Sequence, residues 1–292
     1  MKTVLLTGGS GFLGSRIRFY YEQLEKTGWQ IVAPAHREMD VTKPEQIKGC
    51  MDRFHPELIV HCGMVADTKY VLEHPVQSFK TTVEGSCHLA EAAAKKNIPL
   101  LFMSSDYVYQ GRTIAGNCYD AARDGLAEEE AGTENEYGRQ KLEAEKRCLE
   151  IHPKTIALRL SWMYDLPKAG LKTKQNLLTD LINAAKERKP IAFALHEYRG
   201  ITNVWEVIKN LERAAALPGG SYNFGSRNNL STVRVARIAA EILGLPEELI
   251  GEDRECFAKS PRNLTMSLHK INQYGIVFPD TAEGLQSFLP SL

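Results

Sequence analysis

Three groups of residues in this chain have the types and spacing to do chemistry together. In Tyr137-Gly138-Arg139-Gln140-Lys141 the tyrosine and lysine stand four positions apart, on one face if the run is helical. A phenol with a pKa near 10 is a poor acid–base catalyst at neutral pH, and an adjacent ammonium favours its phenolate. Spacing alone carries little, because Tyr164 and Lys168 share it. Pro167 interrupts that second pair, whereas Glu136 to Glu150 lacks proline and is rich in helix formers. The pair at 137 and 141 is the candidate.

The second group is the run Gly8-Gly9-Ser10-Gly11-Phe12-Leu13-Gly14, which follows the apolar segment Thr3 to Thr7 directly. Its spacing is GxxGxxG, and its glycines permit a tight turn and a close approach of backbone N–H groups to a pyrophosphate. Dinucleotide binding is the expectation. An acid after the second strand would hold the ribose hydroxyls of NAD, but Ala33-Pro34-Ala35-His36-Arg37 contains none. Arg37 is positioned to clamp a 2′-phosphate, which favours NADP, while a simple surface role for Arg37 leaves NAD open. The third group is Ser104-Ser105 at the end of the fourth apolar run, where sheet C-termini open onto the ligand crevice. Ser105 is the candidate partner for the substrate carbonyl, a turn-capping serine being the plain alternative.

These groups need a scaffold that presents strand ends side by side. Short apolar runs (3–7, 31–33, 57–61, 98–103, 155–160) alternate with helical patterns (12–26, 44–54, 78–96, 135–150). Strand–helix alternation with buried, non-alternating strands predicts an α/β fold, a Rossmann-type doubly wound parallel sheet. The expected division is an NAD(P)-binding Rossmann domain over 1–165. Residues 166–292 would complete the sheet and interleave with a smaller C-terminal substrate-binding lobe. Helical patterns at 176–187, 204–216 and 233–243 and short strands at 191–195 and 221–224 fit there.

Bulk properties restrict the partners. The 292 residues carry 36 basic and 36 acidic side chains, so no global field attracts nucleic acid or an anionic membrane. Cys50, Cys62, Cys87, Cys118, Cys148 and Cys256 are scattered without metal-ligand spacing and read as reduced thiols. No metal site is expected, and Glu128-Glu129-Glu130 reads as a solvated acidic loop. With a strand beginning at Lys2 and no long apolar run, a cytoplasmic enzyme is expected. A homodimer is the default assembly.

With these segments in place the chain resembles the extended short-chain dehydrogenase/reductases, and among them the dTDP-4-dehydrorhamnose reductase branch. The resemblance rests on Thr7 to Gly14, Met39-Asp40-Val41-Thr42, His61-Cys62-Gly63-Met64, Ser104 to Gly111, Tyr137 to Lys141 and Arg159 to Tyr164. It is specific to about residue 165 and thins to points such as Arg199-Gly200 and Pro261 to Leu264 beyond. It implies that Gly8, Gly11, Phe12, Leu13 and Gly14 line the pyrophosphate and that Asp40 and Val41 contact adenine. Cys62, Gly63 and Met64 would pass beneath the ribose and nicotinamide. Ser105, Tyr137 and Lys141 would form a catalytic triad reducing the C4 ketone of a nucleotide sugar, Tyr137 giving the proton and Lys141 holding the ribose. Ser105 replaces the branch's usual threonine, and His61-Cys62-Gly63 replaces its Asn-Ala-Ala; His61 reads as a packed, hydrogen-bonded strand-end residue. Two other readings stay open: a nucleotide-sugar epimerase or dehydratase with tightly held NAD, and a nucleotide-binding regulatory subunit.

Overall fold

The computed structural model describes residues 1–25, 28–111 and 125–289. The chain divides into two compact units, the first comprising 1–108, 133–159 and 208–222, the second 109–132, 160–207 and 223–292.

The first unit is built on β1 (Lys2–Thr7), β2 (Trp29–Val32), β3 (Leu58–His61), β4 (Leu100–Ser105) and β5 (Thr155–Leu160). Across the six-stranded sheet the order is Gly220–Phe224, β5, β4, β3, β1, β2. The β1–β2, β1–β3 and β3–β4 pairs are parallel, with Leu5 between Val32 and Ile59. A parallel sheet buries both faces, which is why β3, β4 and β5 are buried at every residue. The Rossmann-type arrangement expected from the alternation is therefore present. The chain reverses direction in strand order beside β1, so its C-terminal end opens a crevice next to that of β3.

Helices α1 (Phe12–Phe19), α2 (Pro44–Phe54), α3 (Thr68–Glu73), α4 (Pro75–Phe79), α5 (Gly85–Lys96) and α6 (Glu136–Ile151) complete this unit. Leu5, Ile59, Leu100 and Phe102 meet Ile47, Leu89, Ala93 and Ala144 in its core. The α1 segment does not run on as one α-helix. Tyr20–Glu25 winds as a π-helix, and the wider turn accompanies the stacking of buried Tyr21 on Trp29 at 4.9 Å. The expected end at Lys26 lies outside the described residues. Likewise the helix expected from Ser78 starts at Pro75, proline occupying the first turn where its missing N–H costs nothing, and Lys80–Glu84 is a second π turn.

The second unit holds parallel two-strand pairs: Trp162–Tyr164 with Ile201–Asn203, Ile191–Ala194 with Ile250–Asp253, and Glu197–Arg199 with Arg262–Leu264. Ile191–Ala194 is the strand expected at 191–195, while the other segments, three or four residues long, are too short for periodicity to reveal. Leu177, Leu181, Val235, Ala239 and Leu285 form its core on the helices Leu177–Glu187, Thr232–Ile242 and Thr281–Phe288. Glu128–Glu130 is a 3₁₀ turn and not merely a solvated loop. Glu130 accepts the Ala127 N–H at 2.8 Å and Glu128 that of Asn223 at 2.9 Å, so two carboxylates satisfy backbone donors. Among the described residues five cysteines are free thiols, and Cys118 lies outside them.

Candidate functional site

The candidate catalytic residues of the first unit are assembled where β4 meets the first turn of α6. Asn135 caps that helix, its side-chain oxygen accepting the Gly138 N–H at 3.1 Å. Gly138 has no alternative there, because a Cβ would collide with the Tyr107 carbonyl oxygen. The loop leaving β4 thus lies directly on the turn that carries Tyr137. Tyr107 packs edge-on against Tyr137, ring centroids 5.4 Å apart.

Tyr137 and Lys141 share one face of α6 as their spacing requires. The Lys141 ammonium lies 5.7 Å from the centre of the Tyr137 ring and 5.5 Å from that of Phe102. Tyr137 is half-buried, whereas Lys141 is only 3% exposed. The lysine donates to the Met103 carbonyl at 3.0 Å and to Met64 Sδ at 3.1 Å. A buried ammonium needs such partners, and here they come from the two strand ends beneath the crevice. Ser105 is buried at the end of β4, where its hydroxyl donates to Asp106 at 3.1 Å and accepts the Tyr107 N–H at 3.3 Å. The three residues of the expected triad therefore stand on the two elements that pack together at this end of the sheet.

The glycine loop has the geometry of a phosphate cradle. Gly8 adopts φ +68, and a Cβ on it would stand 2.6 Å from the Cys62 carbonyl carbon. A Cβ on Gly14 would strike the Gly8 carbonyl oxygen. Both positions demand glycine, for handedness at one and close approach at both. A cleft of about 390 Å³ lies beside this loop. Gly8, Val41, Gly63 and Met64 line it, while Gly11, Phe12, Leu13 and Gly14 form the turn into α1 behind it. Asp40 is engaged by Thr42, which donates N–H and hydroxyl at 3.0 and 2.8 Å, and the backbone bond foremost holds its carboxyl below the usual range. Such a cleft fits a dinucleotide, with backbone brought to the pyrophosphate by the glycines.

Sequence reasoning did not assign Arg18, and it placed the cation of the second strand's end at Arg37. Arg18 and His36 line the cleft, whereas Arg37 is exposed outside the lining. The turn from Ala35 is closed by Glu38, whose carboxylate accepts the Ala35 N–H at 2.9 Å, and Arg37 rides on that turn. Helix periodicity carried a signal for Arg18, since it follows Gly14 by one turn.

His61 lies under the crevice, fully buried. Ser86 Oγ donates to the Thr82 carbonyl at 2.5 Å and receives His61 Nε2–H at 2.9 Å. His61 Nδ1 then accepts from Thr7 Oγ1 at 2.7 Å, and Thr7 in turn accepts the Gly63 N–H at 2.9 Å. Burial, with the Lys141 charge second, pushes the imidazole pKa down to about 3. Burial also pushes the Cys62 thiol up to about 12, against the opposing pull of Lys141. Neither is an acid–base group at neutral pH.

The second unit has a polar centre of its own. Glu197 is buried, which raises its pKa, but Arg199 and Arg262 outweigh burial and hold it low. The Arg199 guanidinium lies over Trp162 at 5.5 Å. Among the described residues no three His, Cys, Asp or Glu side chains converge as metal ligands, and no helix is long and apolar enough to cross a membrane.

Known proteins are similar to this chain in sequence and in fold over nearly its whole length. The dTDP-4-dehydrorhamnose reductase of Aggregatibacter actinomycetemcomitans is 25% identical over 305 residues, covering 98% of each chain. Methionine adenosyltransferase 2 subunit beta of Bos taurus is 23% identical, over 94% of this chain and 83% of its own. The crystal structure of dTDP-4-dehydrorhamnose reductase from Bacillus anthracis, in complex with NADP, superposes with a TM-score of 0.84. It is 21% identical and covers 100% of this chain and 98% of its own. The model of the RmlD substrate binding domain family matches residues 1–292, and the chain belongs to that family.

Proposed function

We propose that this protein is an NADPH-dependent reductase of a 4-keto nucleotide sugar, of the dTDP-4-dehydrorhamnose reductase type. The observation that carries the reading is the placing of Tyr137 and Lys141 on one face of α6, the ammonium 5.7 Å from the phenol ring, against the strand end bearing Ser105. The likeness to dTDP-4-dehydrorhamnose reductases supports the substrate class, and the NADP bound by the Bacillus anthracis protein supports the cofactor.

When bound, the nicotinamide supplies hydride to the C4 carbonyl carbon. Tyr137 donates its phenolic proton to the carbonyl oxygen as negative charge develops there. Lys141, anchored on the Met103 carbonyl, places a fixed positive charge beside the phenol and holds the nicotinamide ribose. Ser105 orients the carbonyl through its hydroxyl. Gly8, Gly11 and Gly14 let the pyrophosphate approach the backbone, and Val41, Gly63 and Met64 line the adenosine-to-nicotinamide path.

The test is a titration of NADPH and NADH against purified protein, followed by NADPH oxidation with dTDP-4-dehydrorhamnose and other 4-keto nucleotide sugars. Turnover on one sugar, abolished in Tyr137→Phe, is the expected result. Binding without turnover on any of them overturns the reductase reading. It would then favour a regulatory subunit, which the likeness to methionine adenosyltransferase 2 subunit beta supports.

A further inference from the structure

We infer that Arg18, one helical turn beyond the glycine loop, is the residue that selects NADPH over NADH by binding the 2′-phosphate of the adenosine ribose. The inference rests on the dinucleotide reading of the cleft given above. Three observations carry it.

The first is charge. Among the described residues lining the 390 Å³ cleft, Arg18 is the one permanent cation and no carboxylate is present. An acid at the end of β2 would hold the ribose hydroxyls of NAD and repel a phosphate. Ala33, Pro34 and Ala35 line the cleft instead, and their side chains offer neither an acceptor for the 2′-hydroxyl nor bulk to fill the space of a phosphate. The nearest acid on that turn, Glu38, is committed to the Ala35 N–H and lines a separate hollow with Arg53 and Phe54.

The second is position. A Cβ built on Gly9 would lie 2.8 Å from Ala33 Cβ and 3.2 Å from Arg18 Cδ. The glycine loop, the end of β2 and the Arg18 stem therefore converge at one point. That point is where the adenosine ribose of a cofactor seated on this loop must pass. A glycine at position 9 is what lets the arginine stem lie there.

The third is availability. Arg18 Nε is paired with Glu22 at 3.1 Å, with side chains 46% and 39% exposed. An exposed i,i+4 pair is weak and screened by salt. A dianionic phosphate offering two charge-assisted bonds to the same guanidinium outcompetes it. Arg37, the other cation of this region, stands on the outer turn away from the lining.

The experiment compares NADPH, NADH, 2′,5′-ADP and 5′-ADP binding by calorimetry to wild type, Arg18→Ala, Arg18→Lys and Arg37→Ala. Wild type is expected to prefer NADPH and 2′,5′-ADP over their counterparts by about tenfold or more. Arg18→Ala should remove most of that preference by weakening only the 2′-phosphorylated ligands, and Arg18→Lys should restore part of it. Arg37→Ala should leave it within about twofold. A preference that survives Arg18→Ala, or one abolished by Arg37→Ala, overturns the inference while leaving the reductase reading intact. Equal binding of NADPH and NADH by wild type overturns it too. Failure of wild type to bind either dinucleotide overturns the reading beneath it.

Discussion

Glu145 on α6 and Arg159 on β5 form a buried ion pair, Arg159 Nη2 to Glu145 Oε2 at 2.8 Å, with 4% and 2% of the arginine and glutamate side chains exposed. Ser104 also donates to Glu145, and Ser221 does so at 3.0 Å. Glu145 continues the face of α6 that carries Tyr137 and Lys141, so the pair fixes the register of that helix against the strands bearing Ser105. Removing one partner leaves a buried charge uncompensated. Glu145→Ala should cost about 3–5 kcal/mol, read as a fall in the urea midpoint at unchanged slope. A joint Glu145→Met, Arg159→Met exchange should recover much of that loss, because neither charge is then stranded.

Tyr137→Phe removes the proposed proton donor while keeping the ring that packs on Tyr107. Turnover should fall by about 10² to 10⁴ with NADPH affinity unchanged within about twofold. Lys141→Met should depress both turnover and affinity, since the ammonium is assigned to the phenol and to the ribose together. Steady-state kinetics combined with a binding titration separates the two patterns.

Gly14→Ala tests the phosphate cradle. Its methyl group must displace the Gly8 carbonyl, and Gly8 already sits at φ +68 against the Cys62 backbone. NADPH binding should weaken at least about tenfold with a stability loss of about 1–3 kcal/mol. Gly49→Ala, at an exposed helix position with open space around it, should leave binding unchanged and raise stability by about 0.5–1 kcal/mol, and it serves as the control.

His61 makes stability depend on pH. Its folded pKa is about 3 against 6.5 when free, so between those values the unfolded chain holds a proton that the native one lacks. Stability should therefore fall as pH drops from 6.5 towards 3, by up to about 1.4 kcal/mol per pH unit from this residue. Urea unfolding at pH 7.5, 5.5 and 4.5 should show a steeper loss in wild type than in His61→Asn. Parallel losses in the two proteins would argue against a buried neutral imidazole.

The sequence by itself determined what is local. Glycine spacing after a strand, the Tyr137 and Lys141 pair on a proline-free helix and the alternation of apolar runs each depend on residues within one or two turns. Those features led to the parallel sheet and to the face of α6. The Arg18 position was also within reach of helix periodicity, but nothing nearby indicated that β2 would end against it.

Only the tertiary structure decided which distant groups meet. His61 finds Thr7 and Ser86 at separations of 54 and 25 residues, and Glu145 finds Ser221 76 residues away. These pairings follow from strand order and from which strand ends lie side by side. A hydrogen bond depends on distances of a few tenths of an ångström. A sequence pattern specifies the face a side chain occupies, and only packing of the whole sheet sets what stands opposite it.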